Sequence, residues 1–292
     1  MFDTPKAIIT HHSPDLDAIT ASWLLKKFDT QHFASSKIFF VNPGDQLSPA
    51  EKDKFSLTDE SLTYVDTGGG QFDHHQPDRG LQYLSAALLV WQHLNQIHPE
   101  IAQDEALKVI VDFATEIDHF KEIFWPEADS LRYCFMIQEL IDGMSKTELH
   151  DDDSLIYFGF SCLDAVYANL TQTIKARELI KDRGQKFNIK TDQAISIETE
   201  NDDVIKEAQK QGFVLVVKRD PTLGHIRVKV RPDCQIDLKE LSIKILELDQ
   251  KGTWYYHPSG KMLLNGSSKH RNQEPTQLTI EQIINLIKEI YG

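Results

Sequence analysis

The sequence has few cysteines, no long apolar run and no excess of positive charge. Its cysteines, Cys134, Cys162 and Cys234, are widely spaced and odd in number, which argues against a disulfide framework and a thiolate zinc site. We expect them to be buried thiols. No apolar run approaches the roughly 20 residues that span a bilayer, and the N-terminus lacks a basic region followed by a long apolar stretch. These absences predict a cytoplasmic protein that does not enter a membrane.

The formal net charge is −14 over 292 residues. Proteins that coat long nucleic acid depend on many Lys and Arg to neutralise phosphates, so this charge argues against that class of function. A short anionic substrate in a locally positive cleft is still compatible with it. A carboxylate-rich site for divalent cations would itself add acidic residues. A homodimer is compatible with the sequence, which does not fix the oligomeric state.

The order of apolar runs predicts two domains. Short β-like runs at 7–9, 37–41 and 62–65 alternate with helical segments, a pattern typical of an α/β fold with a mostly parallel sheet flanked by helices. Helical sequence continues to about residue 187, and the polar stretch 188–192 interrupts it. We therefore predict an N-terminal domain at 1–188 and a smaller C-terminal α+β domain at 189–292, placed across a cleft.

Side chains that can cap helices mark several helix starts. Ser85 and Asp104 precede two helical runs, and Thr279 with Gln282 fits a capping box before the last helix. A further helix is expected from Asp17 onward. In a parallel sheet ligands gather at the carboxyl ends of the strands, which here include the ends of the first and third β-like runs.

Two clusters of acidic and imidazole side chains follow those strand ends. The first holds His11, Asp15 and Asp17; the second holds Asp66, Asp73, His74 and His75. Taken singly, Asp17 could be a helix N-cap, Asp66 a turn former and the histidines loop residues. Together, so many charges at neighbouring strand ends need a partner that divalent cations supply. Oxygen and imidazole ligands suit Mn²⁺, Mg²⁺, Fe²⁺ or Zn²⁺.

Helical geometry adds a third position. At about 100° per residue, Asp118 falls on the same side as Leu107, Val111 and Ala114, whereas Asp112 falls on the polar side. A carboxylate on an apolar stripe is costly unless it is paired or binds a metal. We therefore predict Asp118 as a metal ligand, with a structural salt bridge to an arginine as the alternative.

These motifs resemble a known family. His11-x-x-Pro14-Asp15-x-Asp17-Ala18, then Asp66, then Asp73-His74-His75, then Asp118 is similar to the four successive motifs of the DHH phosphoesterase superfamily, over roughly the first 120 residues. That superfamily includes RecJ-type exonucleases, oligoribonucleases, cyclic-dinucleotide phosphodiesterases, exopolyphosphatases and family II pyrophosphatases. Only six residues separate Asp66 from Asp73, fewer than in many members, and this departure obscures the subfamily.

The resemblance implies a site with two divalent ions, with Mn²⁺ favoured. One ion would be held by His11, Asp15 and Asp66, and the other by Asp17, Asp66, His74 and Asp118. His75 would contact substrate phosphate, and Asp73 would orient its neighbours. Two cations about 3.5–4 Å apart would share a water, lower its pKa and direct the resulting hydroxide at phosphorus, so no protein nucleophile is required.

Two basic segments lie in the predicted C-terminal domain. A loop carrying Lys269, His270 and Arg271 resembles the glycine-rich loop of the DHH-associated domain, although serines replace glycines, and we expect it to bind substrate; a polar connector is the alternative. The β-run 225–231 places Arg227, Lys229 and Arg231 on one face, either for phosphate binding or as a solvated outer strand.

The sequence thus predicts a metal-dependent phosphohydrolase that cleaves phosphodiester bonds in short oligonucleotides or small nucleotides. Two alternatives are open. The same metal core could serve a pyrophosphatase or exopolyphosphatase, or the chain could be a metal-dependent nucleotide-binding module without turnover.

Overall fold

The structure is a computed structural model that describes residues 6–147, 151–190, 192–266 and 272–292. The chain divides into two compact units, Met1–Asn169 and Leu170–Gly292. The division falls within a long helix and lies earlier in the chain than the domain boundary predicted after residue 188.

A three-stranded parallel sheet organises the first unit. Its strands are β1 (Ala7–His11), β2 (Ile38–Val41) and β3 (Leu62–Tyr64), in the order β2-β1-β3. The central strand pairs with a neighbour along each edge and is buried on both faces from Ala7 to Thr10, as is usual in a parallel sheet. The predicted parallel sheet is confirmed, and the carboxyl ends of all three strands meet at one edge.

Helices surround this sheet. They are α1 (Leu16–Phe28), α2 (Thr30–Phe33), α3 (Pro49–Phe55), α4 (Ala86–Ile97), α5 (Glu105–Asp118), α6 (Ile137–Ser145) and α7 (Asp152–Arg183), with 3₁₀ turns at Asp59–Ser61, Pro99–Gln103, Lys121–Phe124 and Leu131–Phe135. Helix α1 packs against α4 and α5 and is buried over its first ten residues. Among the described residues, no helix is both long and apolar enough to cross a membrane.

The helix caps show how the chain enters these helices. Asp15 caps α1, because its Oδ1 accepts the N–H groups of Asp17 (3.0 Å) and Ala18 (3.1 Å). The alternative that Asp17 is the N-cap is therefore wrong, and its carboxylate is free for another role. Ser85 caps α4 and Asp104 caps α5, as the sequence predicted.

The second unit is built on a six-stranded mixed sheet. Its strands are β4 (Gln185–Ile189), β5 (Asp192–Glu198), β6 (Leu215–Arg219), β7 (Ile226–Val230), β8 (Trp254–Tyr256) and β9 (Met262–Asn265), in the order β4-β5-β6-β7-β9-β8, and its helices are α8 (Asp203–Lys210), α9 (Lys239–Leu248) and α10 (Ile280–Tyr291). Thr279 and Gln282 form the predicted capping box of α10. This is an α+β fold, as predicted.

The helix predicted to continue to about residue 187 ends earlier, at Arg183. The residues predicted as the end of that helix and the start of the polar break form strand β4, which pairs antiparallel with β5. Phe187 and Ile189 are buried whereas their neighbours are exposed. Five residues with only two apolar positions are too short for this alternation to stand out from a helical pattern.

Strand β7 is not the solvated outer strand that was one of its two predicted roles. It lies between β6 and β9, so it is not an outer strand. Its apolar residues are buried, as expected, and Arg227 and Lys229 are half-buried. Arg227 is an internal structural contact, because its Nη1 lies 2.5 Å from Asp202 and its Nε donates to the Gly266 carbonyl.

The expectation that all three cysteines are buried is wrong. Cys134 is exposed, and Cys162 and Cys234 are partly exposed. Cys134 lies in the 3₁₀ turn Leu131–Phe135, where Leu131 and Phe135 are also largely exposed. The apolar side chains of Leu131 and Phe135 are therefore not covered by the described part of the chain.

Candidate metal centre

The candidate site begins at the ends of β1 and β3. His11 is the last residue of β1, and Asp66 follows β3 after Val65. Asp66 has a φ of 56°, in the left-handed region that non-glycine residues seldom adopt. Its N–H donates to the carbonyl of Phe72 at 2.9 Å, which fixes this conformation. The two strand ends thus bring His11 and Asp66 together, with His11 Nε2 3.4 Å from Asp66 Oδ2.

The loop from Asp66 to His75 is held by its own polar groups. Asp73 Oδ2 accepts the Gly69 N–H at 2.7 Å, and its Oδ1 lies 3.0 Å from the His75 N–H and 2.9 Å from His75 Nδ1. Arg79 donates through Nη1 to the carbonyls of Gln71 and Asp73. Asp73 therefore orients the His75 ring, and Arg79, which the sequence did not single out, fastens the same loop.

Asp17 is held by the start of helix α4. Its carboxylate is buried and accepts the N–H groups of Ala86 at 2.6 Å and Ala87 at 2.8 Å. The first turn of a helix carries unpaired N–H groups and partial positive charge, which suits an anion. The sequence predicted this helix and its Ser85 cap, but no local pattern links its N-terminus to Asp17, about 70 residues earlier.

The structure brings all six predicted metal ligands into one cluster. Their ligand atoms form the groups His11–Asp15–Asp66, Asp17–His74–Asp118 and Asp66–His74–His75, with atoms in each group within 4.8 Å of one another. Asp66 is shared by the first and third groups, and His74 by the second and third. His74 Nε2 lies 3.3 Å from Asp66 Oδ1, 3.6 Å from Asp118 Oδ2 and 3.8 Å from Asp17 Oδ2. Each group is of a size and type that could hold a divalent ion; that these residues bind metal stays a prediction.

Two buried atoms at the centre of the cluster lack hydrogen bonds. Asp66 Oδ1 and His74 Nε2 are close to each other, yet neither has a hydrogen-bond partner among the described residues. A buried polar atom without a partner costs about 1–3 kcal/mol. A cation between them would satisfy both atoms, because each carries a lone pair when His74 is neutral. The donor set therefore fits a divalent ion.

The charges of the cluster lead to the same inference. Burial and the nearby charge of Asp66 raise the pKa of Asp15 and, further, that of Asp17. Burial also raises the pKa of Asp118 to about 6. Although burial opposes it, the contact with Asp66 and the charge of Asp15 raise the pKa of His11 to about 9. The site therefore holds more carboxylates than its imidazoles can neutralise. Without bound cations, the raised pKa values favour protonation of some of these carboxylates.

Helix α5 places Asp118 on its covered side and Asp112 on its exposed side, as the sequence predicted. Leu107, Val111 and Ala114 are buried, and the Asp118 side chain is only 13% exposed. Asp112 is 57% exposed and pairs with Lys108 at 2.6 Å. Asp118 is the last residue of α5, and it faces His74. No arginine among the described residues forms the salt bridge with Asp118 that was the predicted alternative.

A contact that the sequence did not indicate holds the turn between β1 and α1. The carboxylate of Asp152 lies 2.6 Å from His12 Nδ1 and accepts the Ser13 N–H at 2.8 Å. Ser13 has a φ of 50°, so this contact stabilises an uncommon backbone conformation next to His11. The partners are about 140 residues apart in the chain, and a single sequence carries no signal for such a pairing.

An open pocket of about 970 Å³ lies beside the cluster. Part of its lining is the cluster itself: Asp15, Asp17, His74, His75 and Asp118. His75 has a 63% exposed side chain, so its ring is accessible. The predicted substrate loop with Lys269, His270 and Arg271 falls outside the described residues, and its role stays a prediction.

Comparisons with known proteins give structural neighbours only. No family model and no curated protein matches the chain. RecJ in complex with Mn²⁺ from Thermus thermophilus aligns with a TM-score of 0.35 and 13% identity, over 99% of this chain and 52% of that one. CDC45 from Entamoeba histolytica aligns with a TM-score of 0.32 and 10% identity, over 98% and 95%. An exopolyphosphatase-related protein from Bacteroides fragilis aligns with a TM-score of 0.26 and 15% identity, over 98% and 92%.

The chain spans about half the length of the RecJ chain that it matches. The residues from His11 to Asp118 on which the motif resemblance depends lie together in groups that could hold a metal ion, at one edge of a parallel sheet.

Proposed function

We propose that this protein is a divalent-metal-dependent phosphoesterase of the DHH superfamily that hydrolyses phosphodiester bonds in short oligonucleotides or small nucleotides. The observation that carries the proposal is the buried cluster around Asp66. Its ligand groups meet beside an open pocket, and two of its central atoms, Asp66 Oδ1 and His74 Nε2, have no hydrogen-bond partner among the described residues.

The residues divide between two ion positions. His11, Asp15 and Asp66 would hold one ion; Asp17, Asp66, His74 and Asp118 would hold the other. We favour Mn²⁺, because mixed carboxylate and imidazole ligands suit it and thiolates are absent from these groups. Bound cations of this kind supply Lewis acidity and a water of lowered pKa.

The chain's own groups then position the substrate. Asp73 holds the Nδ1 side of His75, which leaves the Nε2 edge of an exposed ring to contact a phosphate oxygen. The N–H groups of Ala86 and Ala87 favour the ionised form of Asp17 and fix both of its oxygens. Arg79 holds the loop that presents His74 and His75. The geometry is thus fixed before substrate binds, which is what positioning in catalysis requires.

A metal-replacement assay tests this proposal. The protein would be stripped with a chelator, reloaded with Mn²⁺ and tested on dinucleotides, short RNA and DNA, cyclic dinucleotides, pyrophosphate and polyphosphate. We expect phosphodiester hydrolysis only after metal is restored. Asp66→Asn should lower kcat/KM by roughly 100-fold or more, since even outer-shell partners of a metal site contribute 10- to 100-fold. Asp112→Asn is the matched control on an exposed carboxylate and should behave like the wild type.

The panel also separates the competing functions. Turnover of pyrophosphate or polyphosphate without phosphodiester cleavage would favour the phosphatase alternative. Mn²⁺-dependent binding of nucleotides without any turnover would favour a binding module. Full activity in the exhaustively metal-free protein would refute the proposal, because the cluster would then have no chemical role.

A further inference from the structure

The first turn of helix α7 carries a carboxylate that reaches the turn before α1. We infer that Asp152 is a positioning residue for only one of the two proposed ions, the first ion, which is assigned to His11, Asp15 and Asp66. It acts through the backbone between His11 and Asp15, and not as a ligand. The inference rests on the proposed function, because it concerns an ion of the same metal centre.

Two contacts connect Asp152 to this turn. Its Oδ1 accepts the Ser13 N–H at 2.8 Å, and its Oδ2 lies 2.6 Å from His12 Nδ1. Each oxygen of the carboxylate therefore contacts a different residue of the short segment between His11 and Asp15. One side chain thus holds the stretch of chain that separates two predicted ligands of the first ion.

Ser13 is the residue whose conformation needs this support. Its φ of 50° lies in the left-handed region, which residues with a Cβ seldom adopt. Its side chain is exposed, so packing around that side chain does not impose the conformation. The chain on either side is held separately, because the His12 N–H donates to the Val41 carbonyl at 2.7 Å and Asp15 caps α1. The bond to Asp152 therefore acts at the point where the backbone is least favourable.

Asp152 is available for this contact because its neighbour caps the helix. Asp151 Oδ1 accepts the Ser154 N–H at 2.7 Å, and the Asp151 N–H donates to the Ser154 hydroxyl at 2.9 Å. These two bonds satisfy the start of α7 in the manner of a capping box. The Asp152 carboxylate is not needed for the cap and binds the turn instead.

Helices α7 and α1 run side by side in the same direction. A Cβ added at Gly159 would lie 2.6 Å from Ile19 Cγ2, so the two helices approach closely there. Further along both helices, Asp164 accepts the Trp23 Nε1–H at 3.0 Å. Later residues of α7 thus contact later residues of α1, and the starts of the two helices lie together. This packing fixes the position of Asp152 relative to the turn.

The ligands of the other ion are held by other elements. Asp17 accepts two N–H groups at the start of α4, and Asp118 is the last residue of α5. His74 belongs to the loop that Asp73 and Arg79 hold. A shift of the backbone at position 13 would therefore displace two of the three ligands of the first ion, and none of these three.

The first test compares two neighbouring alanine variants. Asp152→Ala removes both contacts with the turn, whereas Asp153→Ala removes an exposed carboxylate from the same first turn of α7. Each variant loses one acidic residue at the helix N-terminus, so effects of net charge and of the helix dipole are common to both. Mn²⁺ is titrated into the metal-free proteins, and electron paramagnetic resonance measures the ion that stays free.

The wild type should bind two Mn²⁺ ions per chain. In Asp152→Ala the affinity for one of them should fall about tenfold, at the lower end of the range for outer partners of a metal site, and the affinity for the other should not change. Asp153→Ala should bind both ions like the wild type. The melting temperature of each metal-free variant is measured alongside, because a general loosening of the fold would weaken both ions.

Two further backgrounds identify the ion that is affected. His11→Ala removes a ligand of the first ion, and Asp118→Asn removes a ligand of the other. Adding Asp152→Ala should weaken the ion that remains in the Asp118→Asn protein. It should leave unchanged the ion that remains in the His11→Ala protein, because substitutions at independent sites do not influence each other.

A glycine at position 13 tests the route of the effect. Glycine adopts a positive φ without the steric cost of a Cβ. Combined with Asp152→Ala, Ser13→Gly should therefore restore part of the lost affinity for the first ion. His12→Ala removes only the imidazole contact and should weaken that ion less than Asp152→Ala does. No recovery with glycine would show that Asp152 does not act through this backbone.

The outcomes separate this inference from the proposed function. Equal weakening of both ions in Asp152→Ala, or the same loss in Asp153→Ala, would overturn the inference, because the role would then be one of general stability. Unchanged binding of both ions in Asp152→Ala would also overturn it, and the metal centre would stand. If the wild type itself binds fewer than two Mn²⁺ ions, the two-ion centre of the proposed function fails, and this inference fails with it.

Discussion

At the scale of single residues, two aspartates on helix α5 show how environment decides role. Asp112 is exposed and has a lysine partner, so its charge is already hydrated and paired. Asp118 is largely covered and faces His74, with the charges of Asp66 and Asp15 raising its pKa after burial itself. The same kind of side chain is therefore an ordinary surface charge at one position and a candidate metal ligand six residues later.

This contrast predicts different metal affinities for two matched variants. Asp118→Asn should weaken Mn²⁺ binding by roughly 10- to 100-fold or more, since it removes a ligand rather than an outer partner. Asp112→Asn should bind Mn²⁺ like the wild type. Metal content by mass spectrometry after dialysis at fixed free Mn²⁺ provides the measurement. Equal occupancy in both variants would show that Asp118 is not a ligand.

The proton balance of the cluster predicts how metal binding depends on pH. His11, with a pKa near 9, holds a proton at neutral pH, and Asp118, with a pKa near 6, gains one below that value. Because a ligand must lose its proton to bind metal, Mn²⁺ affinity should rise at least about tenfold per pH unit between pH 6 and 9 and fall more steeply below 6. The raised pKa values of Asp17 and His74 can only add to the protons released. Calorimetry in buffers of different ionisation enthalpy would measure the released protons. An affinity that is flat from pH 6 to 9 would contradict this.

At the scale of elements, the loop between β3 and His74 places candidate metal ligands at the end of a short strand. Tyr64, in β3, packs on Gly68, and its hydroxyl accepts the Leu47 N–H at 3.2 Å, so the ring is held at both ends. Gly68 and Gly69 both have positive φ, yet only Gly68 faces that ring. The two glycines therefore have different reasons to be glycine.

We predict that alanine at these two positions separates backbone strain from steric clash. Gly69→Ala meets open space and should cost about 1 kcal/mol for its left-handed backbone alone. At Gly68 the added Cβ would lie 2.5 Å from Tyr64 Cδ1, so Gly68→Ala should cost about 1–3 kcal/mol more and weaken Mn²⁺ binding. Urea unfolding and Mn²⁺ titration of both variants provide the comparison. Equal losses would mean that the Tyr64 contact does not constrain the loop.

The elements also show which parts of the structure a single sequence can specify. The parallel sheet, the Ser85 and Asp104 caps and the position of Asp118 all follow from local periodicity or capping chemistry. Strand β4 did not, because its alternation is only five residues long. Contacts such as Asp17 with the start of α4 join distant segments, and they depend on packing that no local pattern records.

At the scale of the whole molecule, the net charge of −14 makes the folded chain repel itself. The repulsion is concentrated where Asp15, Asp17, Asp66 and Asp118 meet, and this cluster belongs to the first unit. A bound cation would therefore relieve a local cost in one unit. The other unit contributes no residue to the described groups that could hold a metal.

Metal should accordingly stabilise the two units unequally. At free Mn²⁺ 100-fold above its dissociation constant, a site absent from the unfolded chain gains about 2.7 kcal/mol. We expect slower hydrogen exchange in β1, β3 and the 66–75 loop on adding Mn²⁺, and no change in β5 to β7. Asp66→Ala, which removes the shared ligand, is the control and should abolish the difference. Equal protection of both units would indicate that the ion acts elsewhere.

A protein with this net negative charge needs local positive charge to bind an anionic substrate. We therefore make a prediction for basic residues of the second unit. Lys269, His270 and Arg271 are candidate phosphate contacts, and Arg271→Ala should lower kcat/KM without changing Mn²⁺ content, since Arg can hold two phosphate oxygens at once. Kinetics of Arg271→Ala and His270→Ala would test this. If neither changes, Lys229 is the next candidate, because Arg227 is already engaged by Asp202.

The hydrogen bonds between helix α4 and Asp17 decide which inactive variant is suitable for binding substrate without cleaving it. Asp17→Asn would turn an NH₂ group toward the N–H of Ala86 or Ala87, so that two donors would face each other. Loss of activity in this variant could therefore come from a displaced helix rather than from the lost carboxylate. Asp118 accepts from no backbone N–H among the described residues and ends its helix, so Asp118→Asn leaves the scaffold's hydrogen bonds intact. A crystallographer who wants uncleaved substrate in place should therefore begin with Asp118→Asn.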